Sequence, residues 1–216
     1  ERILRMVDGV LLLVDAFDGP MPQTKFVLRK SLELHLKPIL VVNKIDRPSA
    51  RPHEVADMTF DLFCELNATD EQLDFPIVYA SAKEGHATLA LDEKSADLKP
   101  LLDTILHRVL PPVADPDLPF QMLVTMLDYD SYIGRIATGR VFRGRLRLND
   151  PYAVVKRAGS VTRYRVTRIL KYQGLKRIEH QEAEAGDIVS IAGADEGKVL
   201  APPVASWKSC TMSPPP

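Results

Sequence analysis

The sequence predicts a two-part chain, an α/β domain built on a parallel sheet followed by an all-β barrel, and three observations carry that prediction. Over the first half, continuous apolar runs alternate with segments of helical period. A proline-rich stretch without periodicity, residues 110–119, then interrupts the pattern. Beyond it come short alternating strands separated by Gly and Asn-Asp turns. Strands that alternate with helices imply parallel pairing, because a parallel crossover needs a helix-length connection. A string of short strands with turn residues between them implies a small barrel.

Each element follows from its own residues. Residues 7–14 are a mostly continuous apolar run, the pattern of a strand covered on both faces. Two more such strands centre on Ile39 and Ile77. Residues 24–36 carry Val27, Leu28, Leu32 and Leu36 at helical period, and residues 53–66 do the same with Val55, Met58, Phe60, Leu62 and Phe63. A third helix, residues 98–109, is expected from Leu101, Leu102, Ile105, Leu106 and Val109. Four prolines make residues 110–119 a stiff, extended linker. That divides the chain into a first domain, 1–115, and a barrel, 116–192. Barrel strands are expected at 120–127, 134–143, 152–156, 164–172 and 188–191. After Ala192 the pattern stops, so the barrel is expected to lack its closing strand, and the proline-rich residues 193–216 are expected to be disordered.

Composition narrows the class. A chain of 216 residues that is 45% hydrophobic can bury a sizeable core. No apolar run approaches the ~20 residues of a membrane span, and the first residues lack a signal-peptide cleavage pattern. No membrane partner is expected. Cys64 and Cys210 suggest neither a disulfide framework nor a metal site, which fits a reducing compartment: cytoplasm, with an organellar stroma as the alternative. Net charge is −1, but residues 1–115 hold 13 basic against 19 acidic residues and residues 116–216 hold 15 against 10. A second half at +5 suits a polyanion, or else reflects solvated strand faces.

The chemistry lies in two short motifs. Asn43, Lys44, Ile45 and Asp46 end the apolar run of the second strand. A carboxylate at a strand mouth can accept both the ring N1–H and the 2-amino group of guanine, a pairing adenine cannot offer. Asn43 can bridge the base edge to neighbouring loops, and the stem of Lys44 can lie along the purine face. An ordinary strand-to-helix turn explains a bare motif of this kind equally well. Ala80, Ser81, Ala82 and Lys83, after the third apolar segment, change the balance. Their small residues let a backbone N–H approach the guanine O6, and Lys83 can cover the other side of the base. The expected guanine-binding set is therefore Asn43, Lys44, Asp46, Ser81, Ala82 and Lys83.

A family resemblance sharpens this. Asp15, Ala16, Phe17, Asp18 and Gly19 with the following Pro-Met-Pro-Gln-Thr resemble the segment after the third strand of translational GTPases. Asn43 through Asp46, continued as Arg47, Pro48, Ser49, Ala50, Arg51 and Pro52, narrows the resemblance to the BipA/TypA ribosome-associated GTPases. Residues 66–75 and Phe120, Gln121, Met122, Leu123, Leu127, Asp128 and Tyr129 are similar to the same family, and the resemblance extends to about Gly193. It implies part of a P-loop-type GTPase domain followed by a translation-factor barrel. It also implies GTP or GDP as the ligand, and a monomer that binds GTP with Mg²⁺ and hydrolyses it on the ribosome, in contact with ribosomal RNA.

The phosphate-binding fingerprint GxxxxGK[ST] does not occur among the eleven glycines. The switch segments and DxxG element of the family are not found either. The chain is thus expected to start in the helix after the second switch, to supply no Mg²⁺ ligand, to contain no catalytic residue and to be inactive alone. Asp15 and Gly19 have the wrong spacing for DxxG and are taken as loop residues. His53, His86 and His107 form no metal set. Arg143, Arg145 and Arg147 are expected on one face of a strand, as RNA contacts or as a guarded strand edge. Two rival functions stand beside the GTPase reading: an RNA-binding barrel with a vestigial nucleotide domain, and a different elongation factor.

Overall fold

The computed structural model describes residues 2–93, 95–155, 161–174, 176–193 and 199–201. The chain divides into two compact units between Pro111 and Pro112, four residues ahead of the boundary expected from the linker.

In the first unit a 3-10 turn, Ile3–Met6, precedes β1 (Gly9–Asp15), α1 (Pro22–Glu33), β2 (Lys37–Asn43), α2 (Pro52–Glu65), the one-turn α3 (Asp70–Leu73), β3 (Ile77–Ser81), β4 (His86–Thr88) and α4 (Lys99–Arg108). The sheet order is β1-β2-β3-β4, with the first three strands parallel and β4 antiparallel to β3. Proline at the first helical position starts α1 and α2, where a missing N–H costs nothing. Thr69 and Gln72 cap α3 reciprocally.

Strand β2 runs through the centre, with Ile39, Leu40 and Val42 wholly buried. On one sheet face Leu28 and Leu32 of α1 and Val55 and Phe63 of α2 pack over Leu12, Val14, Leu40, Val42 and Tyr79. On the other, Leu101 and Ile105 of α4, with Val109, cover Ile39, Val41, Val78, Ala80 and Ala87. Two sequence expectations fail here. Strand β1 is covered on one face only, with Leu11 42% and Leu13 58% exposed, because α4 packs chiefly on β2 and β4. Leu102 and Leu106 belong to the apolar period of α4 yet face solvent. The stripe is wider than the sheet beneath it.

The second unit holds β5 (Gln121–Asp130), β6 (Gly134–Arg143), β7 (Arg145–Arg147), β8 (Pro151–Val155), β9 (Val161–Arg165), β10 (Arg168–Gln173), β11 (Lys176–His180), β12 (Glu182–Glu184), β13 (Ile188–Ala192) and β14 (Val199–Ala201). Eight strands pair in the order β11-β10-β13-β6-β5-β14-β8-β9, and β12 pairs with β7. Side chains from both sheets, among them Met122, Val141, Leu146, Tyr152, Ile169 and Ala183, enclose a single core, as in a barrel.

The strand expected over 164–172 is two strands. At the break the Val166 N–H donates to Asp150 O and its carbonyl accepts from Asn149 N–H, so the backbone leaves the ladder while the side chain stays in the core. The expectation of a missing closing strand is overturned. Strand β14 lies between β5 and β8, antiparallel to both, with Val199 opposite Leu123 on one side and Val155 on the other. Backbone donors and acceptors on two open strand edges accept a short segment of little sequence character, which is why patterning missed it. The disorder expected over 193–216 otherwise concerns residues 194–198 and 202–216, which lie outside the described residues.

Candidate guanine-recognition site

Parallel register decides where the two motifs meet. Asp15, Asn43 and Ala80 are neighbours across β1, β2 and β3, so the three strand tips end in one row at the carboxyl edge of the sheet. Ligands of open α/β sheets bind at this edge.

Asn43 ties the motifs together. Its side-chain carbonyl accepts the Lys44 N–H at 2.8 Å and the Ala82 N–H at 3.1 Å. Lys44 takes a left-handed backbone, φ 68°, which turns the chain out of the strand, and the Ile45 N–H donates to Ala80 O at 3.3 Å. Asp46 then faces Ser81, whose hydroxyl donates to Asp46 Oδ1 at 2.7 Å. Ser81 is fully buried and its Oγ also accepts the Glu84 N–H at 3.2 Å, so the hydroxyl proton is committed to the carboxylate. The Ser81 hydrogen bond, with Lys83 and Arg47 nearby, holds Asp46 below the usual carboxylate range against a burial penalty. An ionised Asp46 held in place by Ser81 keeps acceptor lone pairs on its carboxylate, as two donors from a base edge require.

One backbone amide of the small-residue turn is already engaged: the Ala82 N–H donates to Asn43. The Lys83 N–H has no protein acceptor among the described residues. Lys83 itself is exposed, as cover for a base face requires.

Asp15, taken as a loop residue from the sequence, joins the site. Its Oδ2 is 2.6 Å from Lys44 Nζ and 3.4 Å from Arg47 Nη1. Oδ1 accepts the Phe17 and Asp18 N–H groups at 2.9 and 3.4 Å. The Lys44 hydrogen bond pulls its pKa down to about 2. A signal existed: Asp15 ends an apolar run as Asn43 does, and equal strand ends in a parallel sheet place such residues side by side.

The arginine set comes apart. Arg143 ends β6, while Arg145 and Arg147 belong to β7, and between them Gly144 turns at φ 76°, where an added Cβ would lie 2.5 Å from the backbone of Phe120. Arg145 and Arg147 do share an exposed face, with Leu146 turned into the core, but β12 sets Glu184 opposite Arg145 and Glu182 opposite Arg147. These cross-strand pairs stand at 3.9 and 3.3 Å. The three arginines therefore do not form one free cationic face. Of the histidines, His53 lies edge-on to Tyr79, His86 is 3.6 Å from Glu84, and His107 Nδ1 is 2.6 Å from Asp103 O. Among the described residues no three His, Cys, Asp or Glu side chains gather to hold a metal ion.

Both units resemble known proteins. Residues 1–111 match the family model of the elongation factor Tu GTP binding domain, and residues 134–201 match elongation factor Tu domain 2. The large ribosomal subunit assembly factor BipA of Bacillus subtilis is 50% identical over 196 residues, and that of Escherichia coli K12 is 52% identical over the same length. The chain belongs to the BipA/TypA family of translational GTPases. Each alignment covers 91% of the chain and 32% of the relative, so this chain spans about a third of the length of the curated BipA proteins it matches. The apo structure of translation elongation factor SelB from Methanococcus maripaludis superposes with a TM-score of 0.69 at 23% identity, covering 93% of this chain and 42% of that one. That likeness extends the agreement to the fold of both units.

Proposed function

We propose that this chain carries the base-recognition part of a GTP site, and that the complete BipA-type protein binds GTP with Mg²⁺ and hydrolyses it on the ribosome. The observation that carries the reading is the Ser81–Asp46 hydrogen bond at 2.7 Å, which presents an ionised carboxylate beside Asn43, Lys44 and Lys83. Asp46 takes the N1–H and 2-amino donors, the Lys83 N–H takes O6, and the stems of Lys44 and Lys83 bracket the base. The curated relatives are named as large ribosomal subunit assembly factors, which supports a ribosomal partner. Compartment and monomeric state follow the sequence expectation: cytoplasm or an organellar stroma, one copy. No residue of this chain is assigned to the phosphates or to Mg²⁺, and no bond-breaking step is assigned to it.

The test is titration of this chain with GDP and ADP, followed by amide chemical shifts. GDP is expected to move the signals of residues 43–46 and 81–83 with millimolar affinity, roughly 4 kcal/mol. ADP should leave them in place, and GTP should release no phosphate above buffer. Equal responses to both nucleotides would refute the base assignment, and steady turnover of GTP would refute the division of labour.

Contact with ribosomal RNA through Arg143, Arg145 and Arg147 remains part of the proposal in reduced form, since phosphate must displace Glu182 and Glu184 from two of them. RNA binding should therefore be weak, with log affinity falling against log salt at a slope of about −1 to −2, at ~0.9 per phosphate on a duplex. Replacing the three arginines with glutamine should flatten that slope. An unchanged slope assigns these residues to guarding the strand edge and removes the RNA role. The same ion pairs count against an RNA-binding module as the chain's main activity.

A further inference from the structure

We propose that Asp15 is the positioning residue of the base site, anchoring the Lys44 ammonium so that the lysine stem is held taut as a platform for the face of guanine. The proposal rests on the guanine reading above and adds to it a residue outside both motifs. Lys44 is fixed at both ends. Its backbone is set by the left-handed φ of 68° and by its N–H on Asn43 Oδ1, and its ammonium is set by Asp15 at 2.6 Å. The aspartate side chain is only 13% exposed, whereas that of the lysine is 45% exposed, so the anchor is the more sheltered end and the stem is open to a ligand.

Asp15 is itself held in place. With Oδ1 engaged by the Phe17 and Asp18 N–H groups, Oδ2 is turned toward Lys44 and Arg47, the two cations that face it. Three further bonds clip its loop to the motif loop: Ala16 N–H to Asn43 O at 2.8 Å, Arg51 N–H to Ala16 O at 2.9 Å, and Arg51 Nε–H to Phe17 O at 3.2 Å. A long side chain ordered before the ligand arrives does not have to surrender its rotamer freedom on binding. The stem touches the face of the base and not its edge, so the anchor should raise affinity without reading base identity.

The test has a nucleotide-free arm and a nucleotide arm, both on this chain. Carboxyl titration by NMR should find Asp15 near 2 in the parent, and Lys44→Met should move it up toward the ordinary carboxylate range. An Asp15 that titrates normally in the parent, or that ignores Lys44→Met, overturns the anchor whatever nucleotides do. In the second arm Asp15→Asn should weaken GDP and xanthosine diphosphate alike, by roughly tenfold, from the restored freedom of the lysine. On the Lys44→Met background the same change should cost almost nothing, the signature of a residue acting through its partner. Equal loss on both backgrounds would show that Asp15 only caps its own loop, and no loss on either would show that the anchor is idle. Failure of the guanine reading looks different: Asp15 still titrates near 2 while GDP binds no tighter than ADP. That outcome also overturns the proposal, since a platform without a base positions nothing.

Discussion

Asp46→Asn in the full-length protein is expected to turn a guanine-selective site into one that prefers xanthosine nucleotides. Guanine offers two donors to position 46, N1–H and the 2-amino group, and a carboxylate accepts both. Xanthine replaces the amino group with a carbonyl. The hydrogen-bond pattern behind Asp46 decides how an asparagine would sit there. Because the Ser81 Oγ accepts the Glu84 N–H, its own proton points to position 46. The amide oxygen is then expected to accept the Ser81 proton, which turns the amide NH₂ toward the base at C2. That donor repels the guanine amino group and satisfies the xanthine oxygen. At roughly 1.5–3 kcal/mol for each charge-assisted bond lost, GDP affinity should fall at least about 100-fold while xanthosine diphosphate becomes the better ligand. Competition between the two nucleotides measures this directly, and a mutant that still prefers GDP by the parental ratio would show that Asp46 does not read the base.

The site was legible in the sequence to the extent that its chemistry is carried by contiguous residues. Asn43, Lys44 and Asp46 form one turn, Ser81 to Lys83 another, and the strand-helix alternation predicts that both turns reach the same sheet edge. Finer assignments depended on pairings between distant residues. Nothing local says that the Ala82 N–H is consumed by Asn43, 39 positions earlier, or that Asp15 meets Lys44, 29 positions later. Such contacts are set by register, which appears only when the strands are placed beside each other.

The barrel shows the same limit more strongly. Apolar patterning located β5, β6, β8, β10 and β13, each of which holds buried residues, and missed β11, whose residues are all exposed, and the short β12. It could not locate the break at Val166, where the side chain stays buried and only the backbone changes partner, nor β14, whose place is fixed by two open edges rather than by its own residues. The arginines failed for a related reason. Period-two counting places Arg143, Arg145 and Arg147 on one face only if the strand is continuous, and Gly144 ends it. The acidic β12 that neutralises two of them lies 35 or more residues away in sequence.

Gly139→Ala is expected to have the largest effect on stability, and it acts on the barrel alone. Gly139 sits in β6 opposite Val124 of β5, beside a register shift between Val124 and Met126 that crowds the two backbones together. A Cβ at position 139 would lie 2.0 Å from Leu123 O and 3.0 Å from the Val124 Cα. Both are backbone atoms, so no rotamer change relieves the overlap, and β6 cannot retreat because its other edge is laddered to β13 from Ile136 through Arg140. Either the β5–β6 ladder opens, leaving buried amides without partners, or the bulge is rebuilt and Val124 leaves the core. Each route costs on the order of 3–5 kcal/mol, a large part of the ~5–15 kcal/mol that holds a domain together. Denaturant unfolding followed at Tyr152 and its core neighbours should show the barrel transition moved to much lower denaturant or lost. Every residue assigned to the base lies in the first unit, so the response of residues 43–46 and 81–83 to GDP should be retained in the same sample. A variant with the parental barrel midpoint would mean that β5 yields at Leu123, and that the close approach of the two strands is not what fixes glycine there.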